Sequence, residues 1–157
     1  MALAPLVVVD AANVVGSRPD GWWRDRPAAV RRLLDTITAG LDRRADVVLV
    51  VEGAARAGVE PGVHDGVRVV HAPGSGDDEI VRIVATEADA AHRPVTVVTA
   101  DRPLRERVTA LGAAVLGPRQ YLAGAAGSIT RRPRGRPAGP ARGADPPARP
   151  GAPPASG

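Results

Sequence analysis

At 157 residues with 44% hydrophobic side chains, the chain is sized for one domain with a proper core, and no cysteine is present, so disulfides and thiolate metal sites are excluded. All 21 basic side chains other than histidine are arginine, and without a lysine or a Gly-rich phosphate loop P-loop nucleotide hydrolysis is excluded too. The formal charge of +4 is unevenly placed: residues 1–127 carry 15 Arg against 16 acids, whereas residues 128–157 carry 6 Arg against Asp145 alone.

The first predicted element is a strand over residues 6–10, a β-branched run that closes on Asp10 and leads into Ala11-Ala12-Asn13. Nothing in this start resembles a secretory signal, because the apolar run lacks a basic preceding region and meets Asp10 at once. A polar loop over residues 16–25 follows and holds both tryptophans, two of the three aromatic residues in the chain. Trp22 or Trp23 could stack on a base there, with Arg18, Arg24 and Arg26 near phosphates, or one indole could simply close the core. Residues 27–40 form a predicted helix with Val30, Leu33, Leu34 and Ile37 on one face, Pro27 suited to its first turn and Gly40 to its end.

A second strand spans 46–52 and a Gly-rich crossover follows over 53–66; the third strand is placed at 67–71. Asp77-Asp78-Glu79 opens a helix over 77–91 that carries Ile80, Val81, Ile83 and Val84. The fourth strand, 95–100, runs out at Asp101, a helix over 103–111 follows with Leu104, Val108 and Leu111, and a short strand lies at 113–116. Near-continuous apolar strands alternating with helices predict an α/β fold, a three-layer α/β/α sandwich with a mostly parallel sheet of about five strands. From residue 128 onward the sequence is almost wholly Arg, Pro, Gly and Ala, with eight of the 16 prolines and no apolar periodicity. This reads as a disordered tail behind a domain of residues 1–127, able to hold a polyanion by charge. No stretch is apolar for long enough to span a bilayer, so a cytoplasmic location without a membrane partner is expected.

Asp10 and Asp101 each stand where a helix cap is needed, and singly each reads equally well as a cap or as a ligand. A cap gives no reason for Asp77, Asp78 and Glu79 to be adjacent, and two carboxylates about 4 Å apart repel by roughly 4 kcal/mol at an effective dielectric near 20. Convergence of the three acidic segments would make a site for Mg²⁺ or Mn²⁺, which take oxygen ligands and keep waters for a phosphate to displace. Metal-assisted phosphodiester hydrolysis is the matching reaction class. Receiver domains and haloacid-dehalogenase-like phosphatases also end a first strand in Asp, but both lean on a lysine, and the latter need an acid where Ala12 stands. His64, His71 and His92 lack metal-ligand spacing and are expected at the surface or at strand ends.

Val-Val-Asp-Ala-Ala-Asn at 8–13, Gly-Ser-Gly-Asp-Asp-Glu-Ile at 74–80, Val-Thr-Val-Val-Thr-Ala-Asp-Arg at 95–102 and the segment 111–122 that includes Pro118-Arg119-Gln120-Tyr121 resemble the successive motifs of NYN domains. These belong to the PIN-like superfamily of metal-dependent endoribonucleases, and the YacP-like branch is the nearest in pattern; the resemblance covers residues 5–122 in order. It implies a PIN-like fold, Mg²⁺ or Mn²⁺ as cofactor and RNA as partner, with Asp10, Asp77 and Asp101 as catalytic metal ligands and Asp78 as a further ligand. Asn13 would orient Asp10 or substrate, Arg102 and Arg119 would meet phosphate, and Trp22 and Arg24 are carried as substrate contacts from the loop itself. Asp78 or Glu79 would help position the ion or a water. The second strand departs from the pattern, ending Glu52-Gly53 where Asp-Gly is expected, and the Trp-Trp loop is a departure as well. Two alternatives stand beside this reading: a non-catalytic RNA-binding module relying on the Arg-rich tail, and a pyrophosphatase or phosphatase acting on free nucleotides. A homodimer is also admitted.

Overall fold

The computed structural model describes residues 3–130, with side chains through residue 125; most of the Arg-rich tail expected from residue 128 lies outside the described residues. Six strands, β1 (Leu6–Asp10), β2 (Asp46–Val51), β3 (Gly62–His64), β4 (Val67–His71), β5 (Val95–Val98) and β6 (Ala114–Leu116), form one sheet in the order β3-β4-β2-β1-β5-β6. Every pairing is parallel except β3 with β4. The helices are α1 (Ala11–Gly16), α2 (Arg26–Ala39), α3 (Gly76–Val84), α4 (Arg102–Ala110) and α5 (Pro118–Thr130). This is the expected α/β/α sandwich with a mostly parallel sheet, one strand larger than foreseen.

Alternate residues of each strand serve opposite faces, and both faces are covered, which is why the strands read as unbroken apolar runs. On one side Val9, Leu49 and Val51 meet Val14 of α1 and Val30, Leu33 and Ile37 of α2. On the other, Val8, Val48, Val50 and Val97 meet Ile80 and Val84 of α3 and Leu104 and Val108 of α4. Leu33, Ile37, Ile80 and Leu104 are all essentially inaccessible; each such side chain contributes about 1.5–3 kcal/mol of burial.

Three elements exceed the sequence expectation. β3 pairs with β4 across Asp65-Gly66, both at positive φ (49° and 91°), so the crossover segment ends in a two-residue hairpin of the primed type. α1 begins at once after β1 because the Asp10 carboxylate accepts a hydrogen bond from the Asn13 N–H and caps it. α5 starts on Pro118, where the missing N–H costs nothing, and its backbone runs through Thr130. The helix expected over 77–91 is present but changes pitch: after Val84 it continues as a π-helical turn over Ala85–Ala90.

The 3₁₀ segment Gly53–Gly58 crosses backbone to backbone over the start of α2, and a Cβ placed on Gly58 would lie 2.2 Å from the Pro27 carbonyl oxygen. Gly58→Ala is therefore expected to lower stability by about 1–3 kcal/mol, read as an earlier urea midpoint at unchanged slope. Among the described residues no helix is long and apolar enough to cross a membrane.

The chain order fixes where a ligand goes. From β1 it proceeds to β2 and β4 on one side, then returns to β5 and β6 on the other. The reversal lies between β1 and β5, and open α/β sheets bind ligands at that crevice, outside the carboxyl ends of the strands.

Candidate functional site

Asp10 and Asp101 stand on the same rim of the sheet, at the reversal point. Asp10 is only 5% exposed. Besides capping α1, it accepts a hydrogen bond at Oδ2 from the Thr99 hydroxyl, 3.0 Å away. The same hydroxyl oxygen accepts the Asp101 N–H at 3.1 Å, and Asp101 caps α4 by accepting the Leu104 N–H at 2.9 Å. Asn13 completes the junction, its Oδ1 accepting the Ala100 N–H at 2.7 Å. Both aspartates are thus caps, and the capping is what aims them: each carboxylate is held at the first turn of its helix, and Thr99 and Asn13 tie the two helix starts together.

Two more acids arrive from the other side of β1. The chain leaves β2 at Glu52 and turns on Gly53, at φ 60°. The Glu52 carboxylate accepts the Gly76 N–H at 2.5 Å, and a Cβ at Gly76 would approach Glu52 Cδ to 3.2 Å, so glycine lets this carboxylate sit on the first residue of α3. Asp77, half-buried, follows directly. Burial raises the Asp10 pKa to about 6 against the lowering effect of its Asn13 and Thr99 hydrogen bonds, and the negative charges of Asp77 and Glu52 push it the same way. The Asp77 carboxyl is also raised, by burial first and then by Asp101 and Glu52, with Arg107 opposing. Four carboxylates therefore feel one another at the rim. Among the described residues no three Asp, Glu or His side chains close on one point as a finished metal cage would.

The remaining residues singled out from sequence are distributed as follows. Asp78 is exposed and pairs with Arg107 of α4 at 3.0 Å. Glu79 faces away from the rim: it is 7% exposed, pairs with Arg82, which lowers its pKa, and lines a pocket of about 540 Å³ with Leu6 and Asp46 at the far end of the sheet. The expectation that Glu79 helps position an ion is corrected by helix geometry, since a residue two places on is turned by about 200°. Arg102 and Arg119 are exposed in the first turns of α4 and α5, on the acidic rim. His64 and His71 bond the Glu60 and Val59 carbonyl oxygens at 2.7 Å each.

The tryptophans occupy a 3₁₀ turn, Trp22–Arg24, with rings edge to face, 6.1 Å apart. Trp22 packs against the core and carries Arg26 over its ring at 5.5 Å; Trp23 is 59% exposed with Arg24 over it at 5.9 Å. Sequence reasoning left Glu52 outside the firm set; the signal that could have placed it is its position, closing a buried parallel strand next to the one that ends in Asp10.

The architecture, an α/β/α sandwich around a mostly parallel sheet, is shared with a solved structure. Among solved structures it is similar to Rae1 (YacP) from Bacillus subtilis, with a TM-score of 0.67 at 16% identity over 81% of this chain and 78% of that one. No protein-family model matches the sequence, and no curated protein does.

Proposed function

We propose that this protein is a metal-dependent endoribonuclease that hydrolyses RNA phosphodiester bonds at the rim that carries Asp10, Glu52, Asp77 and Asp101. The observation that carries the reading is uncompensated charge. Among the described residues none of these four carboxylates makes an ion pair although none is exposed, whereas the other acids without an ion pair, Asp25, Asp35, Asp42, Glu60, Asp65, Asp89 and Glu106, all stand in solvent. Keeping like charges near one another with only Arg107 opposing at Asp77 is costly, and an all-oxygen group of this kind suits a hard divalent cation. The fold supports the same reading, being shared with Rae1 (YacP), in the branch whose motifs the sequence resembles.

Asp10, Asp77 and Asp101 would hold Mg²⁺ or Mn²⁺, with Glu52 beside them and waters completing the shell. When bound there, such an ion polarises the phosphodiester and neutralises charge that builds up as the bond breaks. The Thr99 hydroxyl fixes the Asp10 carboxylate, and Asn13 holds the β5–α4 turn against α1, so its part is to position the acids. Arg102 and Arg119, exposed in the first turns of α4 and α5, would meet phosphates of the RNA. The Arg-rich segment beyond residue 130 would retain RNA through charge, with affinity falling steeply as salt rises.

The test is incubation of the full chain with single-stranded RNA in Mn²⁺, in Mg²⁺ and in chelator. Internal cleavage that requires the metal and falls by about 10²-fold or more in Asp101→Asn is expected. Cleavage that survives both chelation and this substitution would sink the proposal.

A further inference from the structure

Beside the acidic rim, between α1, the Trp22–Arg24 turn, α2 and the chain leaving β2, lies an open pocket of about 330 Å³, at the small end of the range for ligand sites. Val15, Val30 and Ala55 give it an aliphatic floor, and Trp22 and Arg26 form one wall. Glu52 lines it as well, so one residue belongs to both the pocket and the group of four carboxylates. Trp23 does not line it; the two adjacent indoles have separate surroundings. Trp22 is seated by the end of α1, where a Cβ on Gly16 would lie 3.8 Å from its Cζ2.

We propose that this pocket receives one unpaired nucleobase of the RNA strand whose phosphodiester lies at the acidic rim. The inference rests on the nuclease reading and deepens it by naming the substrate as RNA that is single-stranded at a fixed distance from the cut. Shape and chemistry both favour a base as the occupant. The aliphatic floor takes a flat apolar face, the part of the indole that Arg26 leaves uncovered offers a surface for stacking, and the Arg26 guanidinium adds positive charge beside the four carboxylates. Continuity with Glu52 sets the distance: a strand crossing the rim has a neighbouring base within reach of the pocket, and only a base released from pairing can turn into it.

Ala12 lines the pocket from an exposed position on α1, so Ala12→Leu fills the cavity from the surface and leaves the core untouched. The full-length protein is assayed in Mn²⁺ on a single-stranded RNA nonamer in which an abasic unit is moved through every position. Cleavage is expected to drop about tenfold or more at one offset from the scissile bond, stacking being the interaction lost. Ala12→Leu should cleave the intact nonamer at that lowered rate and be indifferent to the abasic unit. In parallel, Trp23→Phe leaves Trp22 as the single indole, and its fluorescence is titrated in chelator with AMP, GMP, CMP and UMP. Quenching by at least one of them, lost when Ala12→Leu is added, is expected.

Metal-dependent cleavage that ignores every abasic position, or that proceeds at the wild-type rate in Ala12→Leu, would overturn the pocket assignment and leave the nuclease reading standing. Quenching that depends on Ala12 in a protein that cleaves nothing would uphold the pocket and remove the nuclease. Neither cleavage nor quenching would remove both.

Discussion

Asp10→Asn is expected to abolish RNA cleavage and, in metal-free buffer at neutral pH, to make the protein more stable than the wild type. Loss of activity follows from removing a carboxylate that the proposed ion needs, a change of about 10²-fold or more. The gain in stability follows from burial. The folded-state pKa of Asp10, about 6, lies above the ordinary carboxylate value of 3.8, so between those values the folded chain keeps a proton that the unfolded chain has released. The stability associated with this group is therefore fully present below about pH 4 and is lost as pH rises through about 6, amounting to about 3 kcal/mol at most. Asparagine carries no charge to bury and keeps an oxygen for the Asn13 N–H. Urea unfolding of both proteins in chelator should give a difference that grows from acid to neutral pH and then levels. The Glu79 carboxyl, lowered by Arg82, acts with the opposite sign, its contribution being lost as pH falls, but it is common to both proteins and cancels. Parallel pH profiles would show that Asp10 carries no such penalty.

Addition of Mn²⁺ or Mg²⁺ is expected to raise the thermal midpoint of the wild type and to leave that of Asp77→Asn and Asp101→Asn nearly unchanged. A cation that binds the folded chain alone stabilises it by about 2.7 kcal/mol at a hundred times its dissociation constant, which for a domain of this size is a shift of roughly 8–15 °C. The effect should be larger at about pH 8 than at about pH 5, because the raised Asp10 and Asp77 carboxyls must give up protons before they can coordinate. Equal shifts in wild type and both variants would place the cation elsewhere on the molecule. The measurement is independent of RNA, so it separates the metal part of the proposal from the substrate part.

Most of the sheet was legible because strands covered on both faces leave uninterrupted valine-rich runs, and the acids that end β1 and β5 announce the rim on which they lie. What escaped did so for specific reasons. β3 offers a single apolar residue, Val63, between Gly62 and His64, too little for alternation, although Asp65-Gly66 is itself a hairpin signal. α1 has six residues, fewer than two turns, and α5 is rich in alanine and glycine, so neither shows a helical period. Within the site, Asp10, Asp77 and Asp101 are marked by position along the chain. The place of Glu52 depends on a hydrogen bond to Gly76, 24 residues away, and the adjacency of Glu79 to Asp77 misleads because a helix turns neighbours to different sides. Arg26 gains its meaning only from the fold, which lays its guanidinium over the Trp22 ring.

The Thr99 hydroxyl works as a gauge block between two charged groups, one at the end of a strand and the other at the cap of a helix. Its proton is committed to one and its lone pair to the backbone of the other, so a single oxygen atom determines their separation. Serine could stand in without altering that interval; valine, of equal bulk, would let the two drift independently, uncoupling the halves of the rim while leaving the core filled.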